Sequence, residues 1–465
     1  MSLASLKRKD LFQQHGLIGD KWVSSSGGGT FTVTNPATLE TLATLPEMNG
    51  ADTESAITAA HTAFQSFRKT TARQRATWLR KWHALCLENI DDLALILTLE
   101  NGKTLAEAKG ERVHGEVVPA SNANQRILTV KQPLGVAACL APWNFPIAMI
   151  TRKVGAALAA GCTTVWKPAG ETPLSALAQA ALAREAGFPS GTINVITTLN
   201  SVAEVGTALC NSKLVRKLSF TGSTRIGKLL ASQCSQNLTK LSLELGGNSP
   251  FIVFDDAKVE TAVEAYLCQA NRIFVQENIY DRFSAALVEK VKALKVGNGV
   301  EEGVFIGPLT HERAVEKAVA HIKDAQEKGA SLLLGGSPCQ PNNLQGYFLE
   351  PTVLGKMSTE ALTTREEVFA PVVALYPFKT EEEVLAKAND CDVGLGSYVI
   401  TESMPRMWRV AENLEVGMVG INMGTLSAAE SPFGGVKESG YGREGGRQGI
   451  EEYMTVKSIL MNVAA

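Results

Sequence analysis

Residues 213–247 read KLVRKLSFTGSTRIGKLLASQCSQNLTKLSLELGG. The run KLVRKLSF predicts a strand, and Thr221-Gly222-Ser223 breaks it. TRIGKLLASQC then spaces its apolar residues three and four apart, which predicts a helix. LTKLSLEL returns to a strand and stops at Gly246-Gly247. Strand, turn, helix and strand in this order form one unit of a parallel sheet. At the turn, backbone N–H groups and the helix dipole can meet a pyrophosphate. Gly222 to Lys228 also fits G-x-x-x-x-G-K, but Leu229 follows and has no hydroxyl to hold magnesium, which argues against a kinase or ATPase.

The same alternation extends in both directions. Upstream, Asp52 to Phe67 predicts a helix with Asp52 as N-cap, followed by helices at Thr71 to Asn89, Asp91 to Asn101 and Thr104 to Gly110. TRKVGAALAA (151–160) predicts a helix stopped by Gly161, ahead of strand CTTVWKP (162–168). Helix SALAQAALAREAG (175–187) leads to strand TINVIT (192–197). This series predicts a doubly wound nucleotide-binding domain. Downstream, strands SPFIVF (249–254), ANRIFV (270–275), ASLLLGG (330–336), APVVALYPF (370–378), GSYVIT (396–401) and MVGIN (418–422) alternate with helical runs and predict a second α/β block. The tail GIEEYMTVKSILMNV (449–463) reads as a strand or short helix that needs a partner.

A chain of 465 residues exceeds one ordinary core, so two or three domains are expected. Net charge is −2, with 45% hydrophobic and 20% charged residues, which offers no electrostatic case for nucleic acid or a membrane surface. No apolar run is long enough to span a bilayer. The opening MSLASLKRKDLFQQ lacks an apolar core and a small-residue cleavage site, so the cytoplasm is expected, with the mitochondrion as alternative. The eight cysteines are dispersed without C-x-x-C, and the six histidines include no H-x-x-x-H, so no metal site is indicated.

Several residues at these strand ends are chemically suggestive. Asn144 sits in Ala141-Pro142-Trp143-Asn144-Phe145-Pro146, where flanking prolines fix the backbone and a carboxamide N–H can be aimed at an oxyanion. Alone, the segment reads rather as a turn with an Asx hydrogen bond. Lys167 ends strand CTTVWKP at the edge where α/β sheets bind ligands; alone it is an ordinary solvated lysine. Glu244 ends its strand beside Gly246-Gly247, as a general base or a surface acid.

Together, Pro142-Trp143-Asn144-Phe145-Pro146, Lys167-Pro168, Phe220-Thr221-Gly222-Ser223-Thr224, Leu243-Glu244-Leu245-Gly246-Gly247, Glu366-Glu367-Val368-Phe369 and Pro432-Phe433-Gly434-Gly435 resemble the aldehyde dehydrogenase superfamily from about Leu17 onward. The resemblance implies a Rossmann-like cofactor domain (1–124 and 133–243), an α/β catalytic domain (244–440) and a small β oligomerisation arm (125–132 and 441–465). It implies NAD or NADP held by Trp143, Lys167, Gly222, Ser223, Leu245, Glu367 and Phe369. Gly170 stands where the family often has a ribose-binding glutamate, with Glu171 one place later, so both cofactors stay open. Asn144 would be the oxyanion donor and Glu244 the general base. The arm implies a homodimer or homotetramer.

Within the superfamily, Ile150-Thr151-Arg152-Lys153-Val154-Gly155, Arg216-Lys217-Leu218-Ser219-Phe220 and Glu415-Val416-Gly417-Met418-Val419-Gly420-Ile421-Asn422 are similar to succinate-semialdehyde dehydrogenases. That likeness implies a small aldehyde substrate whose distal carboxylate meets Arg152, with Ser427 also in contact. Read alone, Arg152 is a helix-surface ion-pair residue. The family's nucleophile loop, with its Gly-Gln pair and catalytic cysteine, is shorter here. Cys268 is the one cysteine near it, and Leu267-Cys268 also continues an apolar helix face. A second stretch, Lys109 to Gly115, is short of a helix. Three readings therefore stand: an enzyme oxidising succinate semialdehyde to succinate in 4-aminobutyrate breakdown, an aldehyde dehydrogenase for another substrate, and a non-catalytic dinucleotide-binding protein.

Overall fold

The structure, a computed structural model, describes residues 3–102, 125–266 and 271–462. The helix expected at Thr104–Gly110 and Cys268 lie outside the described residues.

The first half begins with strands β1 (Gly16–Ile18), β2 (Lys21–Val23) and the pair β3 (Thr30–Thr34) and β4 (Thr41–Pro46), then helices α1 (Gly50–Phe67), α2 (Ala72–Glu88) and α3 (Ile90–Asn101). After β5 (Gln125–Pro133) the units alternate: β6 (Val136–Leu140), α4 (Pro146–Ala160), β7 (Thr163–Lys167), α5 (Leu174–Glu185), β8 (Ile193–Val195), α6 (Val202–Asn211), β9 (Val215–Thr221), α7 (Thr224–Cys234) and β10 (Lys240–Glu244). They form a seven-stranded sheet in the order β10-β9-β6-β7-β8-β1-β2. The five strands β10 to β8 are parallel, and β1 and β2 close the edge antiparallel. Every residue of β6 and β7 is buried, as expected of strands covered by helices on both faces.

Two helix starts differ from expectation. Asn49, not Asp52, caps α1: its side chain accepts from the Asp52 N–H, and the Asp52 carboxylate accepts from the Asn49 N–H, a reciprocal capping box. Helix α4 starts at Pro146 instead of Thr151, because a proline at the first helical position loses no hydrogen bond. Its C-terminal stop is the expected one, Gly161 at φ 98°.

The second half contains β11 (Pro250–Val253), α8 (Val259–Tyr266), β12 (Arg272–Gln276), α9 (Glu277–Lys292), α10 (Glu312–Glu327), β13 (Ser331–Leu334), β14 (Thr352–Gly355), α11 (Leu362–Arg365), β15 (Val372–Phe378), β16 (Gly396–Ile400) and β17 (Met418–Ile421). Its seven-stranded sheet runs β13-β14-β15-β12-β11-β16-β17, with β13 alone antiparallel to its neighbour. Arg272, fully buried at the start of β12, donates to the carbonyls of Asn248, Lys387 and Ala388 at 2.9, 3.1 and 2.9 Å. Three acceptors satisfy a guanidinium that would otherwise be costly to bury.

The tail takes both forms the sequence allowed. A short helix, Gly446–Glu451, is followed by β18 (Met454–Asn462), which pairs antiparallel with β5 from Met454↔Pro133 to Asn462↔Gln125. This two-stranded ribbon lies within the residues that the resemblance assigns to an arm, 125–132 and 441–465.

Candidate active site

Parallel register fixes where the candidate residues lie. Lys167, Leu140, Phe220 and Leu243 are direct partners across β7-β6-β9-β10, so four strands end in one row. Beyond this row come the Pro-Trp-Asn turn, Lys167, the Thr221-Gly222-Ser223 turn and Glu244.

Past Leu140 the chain turns through Pro142 to Phe145 into α4. Asn101 Nδ2 donates to the Trp143 carbonyl at 2.6 Å, and the Asn144 Oδ1 accepts from the Phe145 N–H at 3.1 Å. With its oxygen turned back on the main chain, the carboxamide offers its NH2 edge as the donor face.

Glu244 is buried at the end of β10, and its Oε2 accepts from the Thr221 hydroxyl at 2.9 Å. Thr221 Oγ1 in turn accepts from Lys153 Nζ at 2.5 Å. Lys153 is fully buried on α4 and pairs with Glu444, which also accepts from Ser219 Oγ at 3.3 Å. Burial, and then the Glu444 charge, raise the Glu244 pKa above the usual carboxylate value, only partly opposed by Lys153 and Arg152. Lys153, Thr221 and Glu444 were not singled out in the sequence, yet a signal existed. Lys153 lies on the same stripe of α4 as buried Met149, Ile150, Val154 and Ala157, where a lysine without a partner would be expensive.

Glu444 is placed by the Pro432-Phe433-Gly434-Gly435 turn: Phe433 N–H and Glu444 N–H bond to each other's carbonyls at 2.6 and 2.7 Å. The Phe433 ring lies 4.4 Å under the Arg152 guanidinium. Arg152 Nη2 donates to Ser427 Oγ at 3.0 Å, and Nη1 stands 3.9 Å from Glu444 Oε2. Arg152 and Ser427, far apart in sequence, therefore meet. Nη1 is buried without a hydrogen-bond partner among the described residues.

On the other side of the row, α7 starts at Ser223 with no side chain capping its first turn. The Gly222 N–H is already taken by the Glu244 carbonyl at 3.0 Å. Leu245 is buried, its N–H bonded to the Ser439 carbonyl at 3.0 Å. A Cβ on Gly227 would lie 2.3 Å from Leu245, so α7 sits closer to this strand end than any other residue allows. Lys167 is buried, and burial lowers its pKa against the opposing charges of Glu171 and Glu47. A Cβ on Gly170 would lie 2.6 Å from the Leu199 side chain. The Glu47 carboxylate fixes that loop by accepting the Leu199, Asn200 and Ser201 N–H groups at 3.2, 3.1 and 2.9 Å.

Across the cleft, burial pushes the Glu367 carboxyl up to about 7, although the Gly247 N–H favours its charged form. Phe369 is exposed at φ 54°, with its ring edge-to-face to Trp143 at 5.3 Å. A bulky residue held in the left-handed region costs roughly 1–3 kcal/mol, and such strain gathers at ligand clamps. Cys139 cannot act as a described nucleophile near Asn144: it is fully buried in β6 and its thiol is pushed up to about 12. No group of three or more His, Cys, Asp or Glu among the described residues can hold a metal. No helix among them is long and apolar enough to cross a membrane.

Comparison with known proteins bears on the same row of strand ends. The sequence profile of the aldehyde dehydrogenase family matches residues 22–459. The chain is 47% identical to 3-sulfolactaldehyde dehydrogenase of Pseudomonas putida over 486 aligned positions, covering 99% of each protein. Against 465 residues, at least 21 of those positions (486 less 465) have no counterpart in this chain. It is 47% identical to the NADP(+) succinate-semialdehyde dehydrogenase of Escherichia coli, covering 98% of this chain and 100% of the relative. The crystal structure of succinate-semialdehyde dehydrogenase from Burkholderia pseudomallei superposes with a TM-score of 0.95 at 47% identity, covering 99% of this chain and 100% of that one. With its strand ends, its buried Glu244 and its near-complete match to these proteins, this chain belongs to the aldehyde dehydrogenase family.

Proposed function

We propose that the site is built to oxidise a small aldehyde with a distal anionic group, succinate semialdehyde first, to the acid with NAD or NADP. The observation that carries the substrate reading is the Arg152–Ser427 contact beside Glu444, with a buried guanidinium nitrogen left unpartnered. A guanidinium fork suits a carboxylate or sulfonate. The names of the two relatives, one acting on a carboxylate semialdehyde and one on a sulfonate aldehyde, share that chemistry.

The residues present fit a nicotinamide dinucleotide. The open first turn of α7 suits a pyrophosphate, Lys167 suits ribose hydroxyls, and Glu367 with Phe369 suits the nicotinamide end. When bound, such a cofactor supplies the hydride acceptor. Asn144 donates to the oxyanion that forms when a thiolate attacks the carbonyl carbon, and Cys268 is the candidate thiol. Glu244 takes a proton from the water that cleaves the thioester. Its raised pKa makes it a better base near neutrality, and the Thr221 hydroxyl, itself held by Lys153 and Glu444, orients its carboxylate. On this reading residues 1–124 and 133–243 bind the cofactor, residues 244–440 complete the catalytic half, and 125–132 with 441–465 join copies into a homodimer or homotetramer. The compartment is the cytoplasm, or the mitochondrion as alternative.

Rates of cofactor reduction with succinate semialdehyde and with butanal test this reading. Faster turnover of butanal would sink the substrate assignment. The shortfall of at least 21 aligned positions favours a second reading, a non-catalytic dinucleotide-binding protein. NADH binding without turnover, unchanged in Cys268→Ala, would support it.

A further inference from the structure

Helix α10 runs along the segment that carries Glu367 and Phe369, and its polar side meets that segment step by step. Lys317, His321, Asp324 and the C-cap Lys328 are spaced four, three and four residues apart, so they share one side of the helix. Their contacts run in reverse order along residues 360–367. Lys317 Nζ donates to the Glu367 carbonyl at 2.6 Å, and His321 Nε2 stands 3.5 Å from Glu366 Oε2. Asp324 Oδ2 accepts from the Leu362 N–H at 2.7 Å, and Lys328 Nζ donates to the Glu360 carbonyl at 2.7 Å. An Asp324–Lys328 pair at 2.8 Å ties the last two steps together.

The other end of α10 reaches the opposite wall of the cleft. His311 caps the helix, its Nδ1 accepting from the Ala314 N–H, and its ring meets Trp143 edge-to-face at 6.2 Å. Trp143 in turn meets Phe369. One helix thus spans from the Pro-Trp-Asn turn to the Glu367–Phe369 hook. The hook needs such a brace, because Phe369 is an exposed aromatic held at positive φ.

His321 differs from its companions in being able to change charge near neutrality. It is 2% exposed, and its Nδ1 has no hydrogen-bond partner among the described residues. The charged groups facing it are Lys317 and Asp324 on its own helix and Glu366 on the segment. With Nε2–H directed at Glu366, a second proton would add a buried N–H without an acceptor and a positive charge beside Lys317. Burial and Lys317 accordingly lower its pKa, with Glu366 and Asp324 pulling the other way.

We propose that His321 is a positioning residue for the nicotinamide half of the cofactor site: its buried neutral ring packs α10 against the segment that carries the Glu367–Phe369 hook, and a second proton, with no acceptor at Nδ1, loosens that packing. The inference rests on the dinucleotide reading above. The test uses the full-length chain and two probes, NADH for the whole site and AMP for the adenosine end alone, titrated from about pH 8 to 5. NADH affinity should fall about tenfold with acidification, the effect of one pKa unit of coupling, while AMP affinity stays level. Glu367 also titrates in this range, so the comparison that decides is with His321→Gln, in which the NADH step should shrink to the Glu367 part. Glu366→Gln keeps the imidazole but removes a carboxylate that favours its charged form, and should deepen the step. Melting temperatures of both variants at each pH show that the fold persists. An unchanged step in His321→Gln, or an equal loss for AMP, would overturn the inference while the dinucleotide reading stands. Failure of NADH, NADPH and AMP to bind at any pH would overturn both.

Discussion

Glu244 and the approach to β12 lie close in sequence, yet what stands behind each differs in completeness. Behind Glu244, a hydroxyl, a lysine and a second glutamate are all partnered in a buried chain drawn from α4, β9 and the Glu444 turn. Ahead of β12, in the stretch that includes Cys268, the chain is shorter than the family's pattern. The strands on either side of the second keep their pairing, whereas a loss in the first would break buried pairs. Strand β12 is held by its register with β11 and β15 and by Arg272 on three carbonyls, none of which needs the nucleophile loop. A buried charge network has no such slack, because removing one member strands the others without solvent. The buried chain behind Glu244 is thus built into packed elements, whereas the stretch that includes Cys268 is a connection that the register of the sheets does not check.

The strongest way to break this contrast is Lys153→Met. It leaves Glu444 and Glu244 as neighbouring buried carboxylates without their cation, and loss of one buried partner typically costs about 3–5 kcal/mol. Thermal unfolding at a fixed scan rate should show a fall of several degrees. Cys268→Ala in the same assay should leave the melting temperature within error. A stable Lys153→Met variant would mean that the network is wet and its members replaceable.

Arg152→Ala probes the chemistry without requiring a nucleophile. Loss of a charge-assisted contact to the distal carboxylate is worth about 1.5–3 kcal/mol, so calorimetry should show succinate binding weakened roughly tenfold to a hundredfold. Equal succinate affinity in the variant would return Arg152 to a helix-surface ion pair.

How much of this was visible beforehand follows the physics of each part. Parallel strands between helices announce themselves as short apolar runs, so β7, β8, β9 and β10 and the row of turns beyond them were legible, whereas the strand β6 was not read. Arg152 and Ser427 were named as a pair through resemblance alone, and the 3.0 Å contact is independent of it. The partner of Lys153 was not legible, since nothing local in Glu444 shows that a turn nearly three hundred residues later folds back over α4. Asp52 was misread for a simpler reason. An acidic residue at the third position of a capping box resembles an N-cap until Asn49 is seen to take the Asp52 N–H.

Glu367 sharpens the contrast through pH. Its pKa is about 7 in the folded protein against 4.5 as the ordinary value, so the folded state keeps its proton longer than the unfolded state. The stability this group contributes is therefore complete below about pH 4.5 and is lost as pH rises through 7. Glu367→Gln, which cannot ionise, should be more stable than the parent above neutrality, on the order of 3 kcal/mol, and should converge with it in acid. The difference between the two melting curves across pH isolates this group from every other titration. A difference that grows toward acid would mean that Glu367 is ionised in the fold.

The smallest effect is expected of Ser427→Ala, and it separates two functions that Arg152 combines. Arg152 Nη2 is tied to Ser427, while Nη1 and the Phe433 ring hold the other side of the guanidinium near Glu444. Ser427 is exposed, so water can take the place of its hydroxyl on Nη2 and the protein should melt as the parent does. Only the orientation of the fork is loosened, and one hydrogen bond to an exposed hydroxyl is worth about 0.5–1.5 kcal/mol, or a loss of roughly threefold to tenfold in succinate affinity. If Ser427→Ala in an Arg152→Ala background costs nothing further, the serine acts through the arginine. If it costs the same again, the serine meets the carboxylate itself, and specificity at this end of the cleft comes from two independent contacts.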